Sequence, residues 1–247
     1  MKVCFGIISI GKSYLEEFER LFKPSVEEYC KLYGYDLKVF TEFLDPTHKQ
    51  PDTISFQKCL VPSFLMDYDL VVVLDADIYI HNHSPPIHLV ELGDKIGIVN
   101  EVSQSTPENY KQLNEIKIVD YPKQYYEISG FNLDTDKILN TGLILCNPSQ
   151  HAEYLKSIYE KYVDKSVGHP RKFHYEQSCV GYELQKDNMY TLISNNWNFI
   201  YAHSKLTNTL LNSSPFFLHF AGVGGSTRAS ALSAHISKCR IRWGVKK

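Results

Sequence analysis

The chain has 247 residues, 43% of them hydrophobic and 22% charged. This is an ordinary globular mix, and the length is enough for one large α/β domain or two small ones with a sizeable core. A formal net charge of −2 gives no electrostatic footprint for nucleic acid. The 6 cysteines have neither CxxC nor metal-type spacing; Cys4, Cys59 and Cys146 stand in apolar runs and read as small core residues, which favours a reducing compartment.

In chain order, Val3 to Ile10 is an apolar run closed by Gly11, a first strand. Tyr14 to Tyr33 has helical periodicity, with Leu15, Phe18, Leu21 and Phe22 on one face and a break or restart at Pro24. Tyr35 to Phe40 alternates as a second strand. Ser55 to Asp67 reads as a helix interrupted by Pro62, with Leu60, Phe64 and Leu65 inward. Leu70 to Ile80 is a β-branched strand carrying Asp75 and Asp77, and Ile96 to Val99 is a short strand. Residues 101 to 137 are polar, Tyr-rich and aperiodic and read as a long irregular insertion. Strand character returns at Leu139 to Asn147 and helical character at Ala152 to Val163, where Tyr154, Leu155, Ile158 and Tyr162 share a face. A helix starts near Glu176, and Phe216 to Phe220 is a late strand. The C-terminal stretch is basic, with Lys238, Arg240, Arg242, Lys246 and Lys247, and reads as a solvated tail or a weak peripheral contact with an anionic membrane. Alternating elements of this kind predict an α/β fold with a mostly parallel central sheet flanked by helices.

The sequence has no secretory signal and no apolar run long enough to span a membrane, so a cytoplasmic location is expected. The tripeptides Asn82-His83-Ser84 and Asn212-Ser213-Ser214 match glycosylation sequons but carry little weight without a signal.

Asp75 and Asp77 carry the chemistry. A carboxylate at the end of a buried strand is costly unless something pairs with it. Residues i and i+2 face the same way along a strand, so the two carboxylates converge on one hard cation if the strand ends or bends there. Mg²⁺ and Mn²⁺ suit carboxylates and keep positions open for phosphate oxygens. Ligands of open α/β sheets bind beyond the carboxyl ends of the strands, where these two residues lie. The structural alternative is a strand end with two solvated acids.

Four further segments have paired readings. The Phe5 to Gly11 stretch closes the first strand, either exposing backbone groups to a nucleotide or making a plain turn; the Walker pattern is absent. Asn140-Thr141-Gly142 either approaches sugar hydroxyls or turns into a strand. Glu176-Gln177 either orients hydroxyls and stabilises charge at a sugar carbon or starts a helix, where Glu is favoured by the macrodipole. In Leu218-His219-Phe220-Ala221-Gly222, His219 presents a ring nitrogen to a metal, or is a core histidine before a flexible loop. Glycines such as Gly222 can cradle phosphate, and Arg228 can pair with a diphosphate.

Taken together, in this order and spacing, the Asp-Ala-Asp, Asn-Thr-Gly, Glu-Gln and His-Phe-Ala-Gly segments resemble those of the GT-A-fold glycosyltransferases, nearest the glycogenin-like family 8 and related galactosyltransferase-type enzymes. The resemblance runs from Val3 to about Gly225. It implies a single Rossmann-like GT-A domain over 1–247, with a nucleotide-binding half (1–100), a donor-sugar and acceptor half (101–225) and a basic C-terminal segment (226–247). Asp75 and Asp77, with Ala76 between them, would be the DxD element that binds Mn²⁺ (or Mg²⁺) and the donor diphosphate, with His219 as third ligand. Ile8 and Ser9 would line the nucleotide pocket, with Tyr14 near the base. Lys58 would lie near donor phosphate or sugar, Asn140 and Gly142 at the donor sugar, and Glu176 and Gln177 near the anomeric carbon or acceptor. The glycogenin-like enzymes continue past the His with a Lys-Pro-Trp; here Gly225 stands at the Lys position and Arg228 is the nearby cation. Glu176 replaces a more frequent Asp. A chain without an anchor looks more like a bacterial or virus-encoded member.

The implied activity is transfer of a sugar from a nucleotide-diphosphate donor, most often a UDP-sugar, to a hydroxyl of a glycan or other acceptor, leaning to retention of stereochemistry. The Tyr-rich insertion, with Tyr110, Tyr121, Tyr125 and Tyr126, would be a lid or acceptor wall. Two alternatives stand beside it: a non-catalytic nucleotide-sugar binding protein on the same fold, and a haloacid-dehalogenase-type phosphatase. The phosphatase expects Thr or similar two positions after the second Asp, where this chain has Tyr79.

Overall fold

The computed structural model describes residues 1–169, 171–203 and 215–243, the side chains of 226 and 239–243 excepted. The strands are β1 (Val3–Ile8), β2 (Asp36–Phe40), β3 (Leu70–Leu74), β4 (Ile78–Ile80), β5 (Ile96–Asn100), β6 (Leu139–Cys146), β7 (Tyr190–Leu192), β8 (Phe199–Ile200) and β9 (Phe217–His219). The α-helices are α1 (Lys12–Leu21), α2 (Lys23–Tyr33), α3 (Pro107–Glu115), α4 (Pro122–Ile128), α5 (Pro148–Ser166), α6 (Gln177–Lys186) and α7 (Gly225–Trp243).

A 6-stranded sheet has the order β2-β1-β3-β6-β5-β7, and a 3-stranded sheet the order β4-β9-β8. In the large sheet β1 runs parallel to β2 and β3, and β5 parallel to β7; β6 runs antiparallel to both its neighbours. The mostly parallel α/β architecture expected from the alternating pattern is therefore present, with one reversed strand at its centre. That reversal has a functional consequence: β6 begins where β3 ends, so Asn140, Thr141 and Gly142 start beside the Asp75 turn, and the Asp75 backbone N–H donates to the Gly142 carbonyl at 2.8 Å.

The period-2 alternation of the strands sorts side chains onto two cores. Val3, Phe5 and Ile7 of β1 and Leu70, Val72 and Leu74 of β3 face α1 and α2, where Phe18, Phe22, Val26 and Tyr29 are buried against them. Cys4, Val71 and Val73 face the opposite side, under Phe56, Leu60 and Val61 and the α5 residues Leu155, Ile158 and Tyr162. Each such side chain contributes on the order of 1.5–3 kcal/mol by leaving water. Gly6 sits on this second face because the layer is tight there: a Cβ would lie 2.4 Å from Val61 Cγ1.

Several elements differ from expectation. The Ser55 stretch is a 3₁₀ helix, Ser55–Phe64, rather than an α-helix. Pro62 has no N–H for the intrahelical ladder, and the tighter winding also turns Phe64 outward, where it is 55% exposed. The 101–137 stretch is not irregular: it holds α3 and α4, each started by a Pro in its first turn. Helices of two to three turns show too few apolar repeats for periodicity to register. The C-terminal segment is not simply a solvated tail, since α7 buries Leu232 in the core and His235 beside His81. The side chains of Arg240, Arg242, Lys246 and Lys247, and the Asn212-Ser213-Ser214 tripeptide, lie outside the described residues. Five cysteines, Cys4, Cys30, Cys59, Cys146 and Cys179, are free and buried, as core residues are. No helix among the described residues is long and apolar enough to cross a membrane.

Candidate metal centre and active site

Asp75 and Asp77 do not lie within a strand. β3 ends at Leu74 and β4 begins at Ile78, and a tight turn closed by Ile78 N–H to the Asp75 carbonyl, 3.3 Å, carries Asp75, Ala76 and Asp77. The turn, rather than strand alternation, brings the carboxylates together. β4 pairs with β9 in the register Ile78↔His219, which sets His219 opposite the turn. His219 Nε2 lies 3.2 Å from Asp77 Oδ1 and 3.7 Å from Asp75 Oδ2. Asp75, Asp77 and His219 each offer a ligand atom within 4.8 Å of the others.

These donors fit a divalent cation. Two carboxylates and one imidazole suit Mn²⁺, with Mg²⁺ as the harder alternative. The imidazole is already oriented for it, because its Nδ1 lies 2.9 Å from Asn198 Oδ1 and only Nε2 faces the carboxylates. Burial works against charge on Asp77, but His219 and then Arg228 more than offset it and hold its carboxyl below the usual range. Burial likewise opposes charge on His219, and Asp77 followed by Asp75 outweighs it, raising the imidazole above its ordinary value.

Three cationic or acidic groups enclose this centre. Arg228, from α7, places Nη2 3.3 Å from Asp77 Oδ2 and Nη1 3.0 Å from Glu17 Oε1, and its Nε donates to the Val223 carbonyl. Lys58, from the 3₁₀ helix, is buried with Nζ 2.6 Å from Asp75 Oδ1 and 2.7 Å from Glu176 Oε1. Burial disfavours its ammonium, but Asp75 and Glu176 together raise it well above the ordinary lysine value. Glu176 is itself buried and also accepts from Thr141 Oγ1 at 2.6 Å.

Glu176 caps α6, and the two residues before it, His174 and Tyr175, have φ of 47° and 67°. Consecutive non-glycine residues in the left-handed region cost roughly 1–2 kcal/mol each. The His174 ring offsets this by stacking on Tyr125 at 4.0 Å and bonding Ser129 Oγ. Gln177 donates to Tyr125 OH at 2.9 Å and to Glu101 Oε2 at 3.4 Å, and accepts from Thr141 N–H at 3.4 Å. The insertion thus touches the candidate site through Tyr125.

Of the residues singled out in the sequence, Asp75, Asp77, His219, Arg228, Lys58 and Glu176 form one connected cluster, with Ala76 in the turn between the carboxylates. Asn140 joins it through Asn198, which bonds His219, and Gln177 through Thr141, which bonds Glu176. Gly142 has a packing reason as well: a Cβ there would lie 2.3 Å from His219 Cε1. Ile8 and Ser9 end β1 alongside β3, where the register Ile7↔Leu74 leads past Asp75. Ser9 Oγ is buried and has no hydrogen-bond partner among the described residues. Tyr14 lies one turn before Glu17 on α1 and is exposed. Gly222 is in the turn between β9 and α7. Among the described residues no hydrogen bond or ion pair links Ile8, Ser9, Tyr14 or Gly222 to the candidate metal ligands.

Sequence reasoning missed Glu101, Asn198 and Glu17, and gave Thr141, inside a segment it singled out, no role of its own. Glu101 could have been found by the rule that located Asp75, since it follows the carboxyl end of β5. Asn198 and Glu17 carry no local signal; only the fold brings them in.

No protein-family model and no curated protein matches the sequence. Solved structures do match. One is a glycosyltransferase involved in glycosylation of the major capsid of PBCV-1, 17% identical, covering 95% of this chain and 99% of its own, with a TM-score of 0.62. Another is the galactosyltransferase LgtC in complex with donor and acceptor sugar analogues, 12% identical over 96% of this chain and 94% of its own, with a TM-score of 0.59. The apo form of the glycosyltransferase GlyE of Streptococcus pneumoniae TIGR4 is 14% identical over 98% of this chain and 64% of its own, with a TM-score of 0.53. The chain has the GT-A fold of the glycosyltransferases.

Proposed function

We infer that the protein is a metal-dependent glycosyltransferase that moves a sugar from a nucleotide-diphosphate donor, a UDP-sugar first, to a hydroxyl of a glycan or other acceptor. The observation that carries this reading is the Asp75, Asp77 and His219 cluster at the carboxyl end of β3, with Arg228 against it. When bound there, a divalent cation would stabilise the charge that builds on a leaving diphosphate. Arg228, fixed by Glu17, is placed to do the same with a planar guanidinium suited to phosphate oxygens.

On the sugar side, Glu176 is a buried carboxylate held through Oε1 by Lys58 and Thr141. Such a fixed negative group would support the positive charge that develops on the sugar ring. Gln177, its amide fixed by Tyr125 and Glu101, would orient hydroxyls beside it. Attack of the acceptor from the leaving-group face, with retention, suits a site in which Glu176 gives electrostatic support. The buried Ser9 hydroxyl at the end of β1, without a hydrogen-bond partner among the described residues, supports a nucleotide pocket on that side. Neither the phosphatase nor the non-catalytic alternative gains support from the three matching structures described above, which are glycosyltransferases.

The test is isothermal titration of UDP with and without Mn²⁺, repeated on Asp77→Ala, followed by UDP-sugar hydrolysis. Metal-dependent binding that is lost in the variant is expected. Binding of a different nucleotide would keep the reaction class and change the donor. Absence of binding by any nucleoside diphosphate in the presence of metal would defeat the reading.

A further inference from the structure

His219 has two ring nitrogens, and only one arrangement of its proton leaves Nε2 a lone pair for a cation. A chain of buried side chains sets that arrangement. His219 Nδ1 lies 2.9 Å from Asn198 Oδ1; Asn198 Nδ2 donates to Asn140 Oδ1 at 2.7 Å; Asn140 Nδ2 donates to Glu101 Oε2 at 3.1 Å. Asn198 and Asn140 are buried.

The polarity of this chain is forced from its far end. An ionised carboxylate only accepts hydrogen bonds, so the asparagine that meets Glu101 must offer its NH₂ and turn its oxygen away. Burial disfavours the Glu101 charge, but His203 and then Asn140 and Gln177 outweigh it and keep the carboxyl below its usual range. A second donor enforces the same orientation, because the Gly142 backbone N–H points at Asn140 Oδ1 at 3.0 Å. An Asn140 oxygen facing Asn198 requires the Asn198 NH₂ there, and so the Asn198 oxygen on the other side. An oxygen facing Nδ1 requires an Nδ1–H. Asn198 cannot rotate out of this role cheaply, since its side chain is fully buried and its backbone is fixed by the bond that its main-chain carbonyl accepts from Gln104 Nε2 at 2.7 Å.

We propose that Asn198 is a positioning residue for the metal centre: with Asn140 it relays the hydrogen-bond polarity of Glu101 and Gly142 to His219, locking the Nδ1–H tautomer and leaving Nε2 free for a divalent cation. This rests on the metal reading of Asp75, Asp77 and His219. It gives the Asn140-Thr141-Gly142 segment a scaffolding duty in addition to any contact with a sugar. Asn140 and the Gly142 N–H orient the histidine ligand, Thr141 holds Glu176, and the missing Gly142 side chain makes room for the ring.

The experiment uses protein labelled with ¹⁵N-histidine, with the His219 signals assigned by His219→Gln. The test is made on the metal-loaded protein, because without a cation the Asp77 carboxylate, 3.2 Å away, itself draws a proton onto Nε2. With ¹¹³Cd²⁺ as an NMR-active probe, cadmium–nitrogen coupling reports which nitrogen ligates, and nitrogen–proton coupling reports whether the other carries a proton. The wild-type protein is expected to couple cadmium to Nε2 and to carry the proton on Nδ1. In Asn198→Leu the Nδ1–H loses its acceptor and Mn²⁺ affinity, read by titration, falls about 10–100-fold. Asn198→Asp keeps an acceptor facing Nδ1 and recovers affinity. Cadmium coupled to Nδ1, an Nδ1 without a proton in the loaded wild type, or wild-type Mn²⁺ affinity in Asn198→Leu would each overturn the proposal. The wild-type measurement decides it even if a variant does not fold. Failure of any metal to bind the wild type would defeat the metal reading and the proposal together, whereas cadmium held through Nδ1 would defeat the proposal alone.

Discussion

Lys58 Nζ lies 2.7 Å from Glu176 Oε1, with both side chains buried. Lys58 belongs to the 3₁₀ helix before β3 and Glu176 to the cap of α6, so this ion pair ties together two elements that both reach the Asp75 turn. The ammonium also holds Asp75, but Asp75 is partly exposed and can be solvated without it; Glu176 cannot.

Removing the cation alone should therefore be costly. Lys58→Met leaves Glu176 with Thr141 as its remaining partner and is expected to destabilise the fold by about 3–5 kcal/mol. Adding Glu176→Gln should recover a large part of that loss, because the charge no longer needs a partner. Urea unfolding of the single and double variants measures the coupling. Strictly additive losses would show that the pair is not a coupled buried unit.

Gly142→Ala tests the contact between β6 and the histidine ligand. A Cβ 2.3 Å from His219 Cε1 forces the ring or the strand to move. A stability loss of about 1–3 kcal/mol is expected from overpacking. Mn²⁺ affinity should drop at least tenfold, since the ring that shifts is the proposed third ligand. A variant that binds Mn²⁺ like the wild type would show that His219 does not contribute to the site.

Arg228→Met separates the phosphate from the metal. The guanidinium contacts Asp77 and Glu17 but is not itself a ligand. A charged hydrogen bond is worth about 1.5–3 kcal/mol, so UDP affinity in the presence of Mn²⁺ should fall by roughly 10–100-fold. Mn²⁺ affinity without nucleotide should be kept or slightly raised, as a competing cation has gone. Parallel titrations of Mn²⁺ and of UDP distinguish the two; equal losses for both would mean that Arg228 serves only to shape the carboxylates.

The α7 helix carries an acid-sensitive contact. His235 Nε2 lies 3.1 Å from His81 Nε2, with both rings buried. Burial, followed by His235 and His83, holds His81 down to about 3, and burial followed by Lys238 holds His235 to about 4, against 6.5 for an unhindered histidine. Between these values and 6.5 the unfolded chain binds protons that the folded chain refuses. Stability is fully present above 6.5 and is lost as pH falls through this window, by up to ~1.4 kcal/mol per pH unit for each histidine. Urea midpoints at pH 7.5, 6 and 5 should fall in that order, and the slope should flatten in His235→Leu. A midpoint unchanged between pH 7.5 and 5 would show that the pair accepts protons without opening.

Much of this architecture was legible in the chain. The apolar runs at Val3, Leu70, Ile96 and Leu139 became strands, and α1, α2 and α5 arose where apolar periodicity indicated them, because burying one face of a strand or helix is a local demand written into residue spacing. That Asp75, Asp77, His219 and Arg228 come together was likewise expected from the sequence, since charged groups and a histidine next to buried strands need partners. Three things were decided by the tertiary structure. β6 was seen as a strand, but its reversed direction, which brings Asn140 to Gly142 beside Asp75, follows from pairing with β3 and β5. Lys58 and Glu176 are 118 residues apart and meet only after both core layers have formed. Asn198 has no signal of its own, and its role exists because a hydrogen-bond chain can be satisfied in one polarity only. Periodicity reports what each segment must bury, whereas the partners of buried polar groups depend on which segments the finished core brings together.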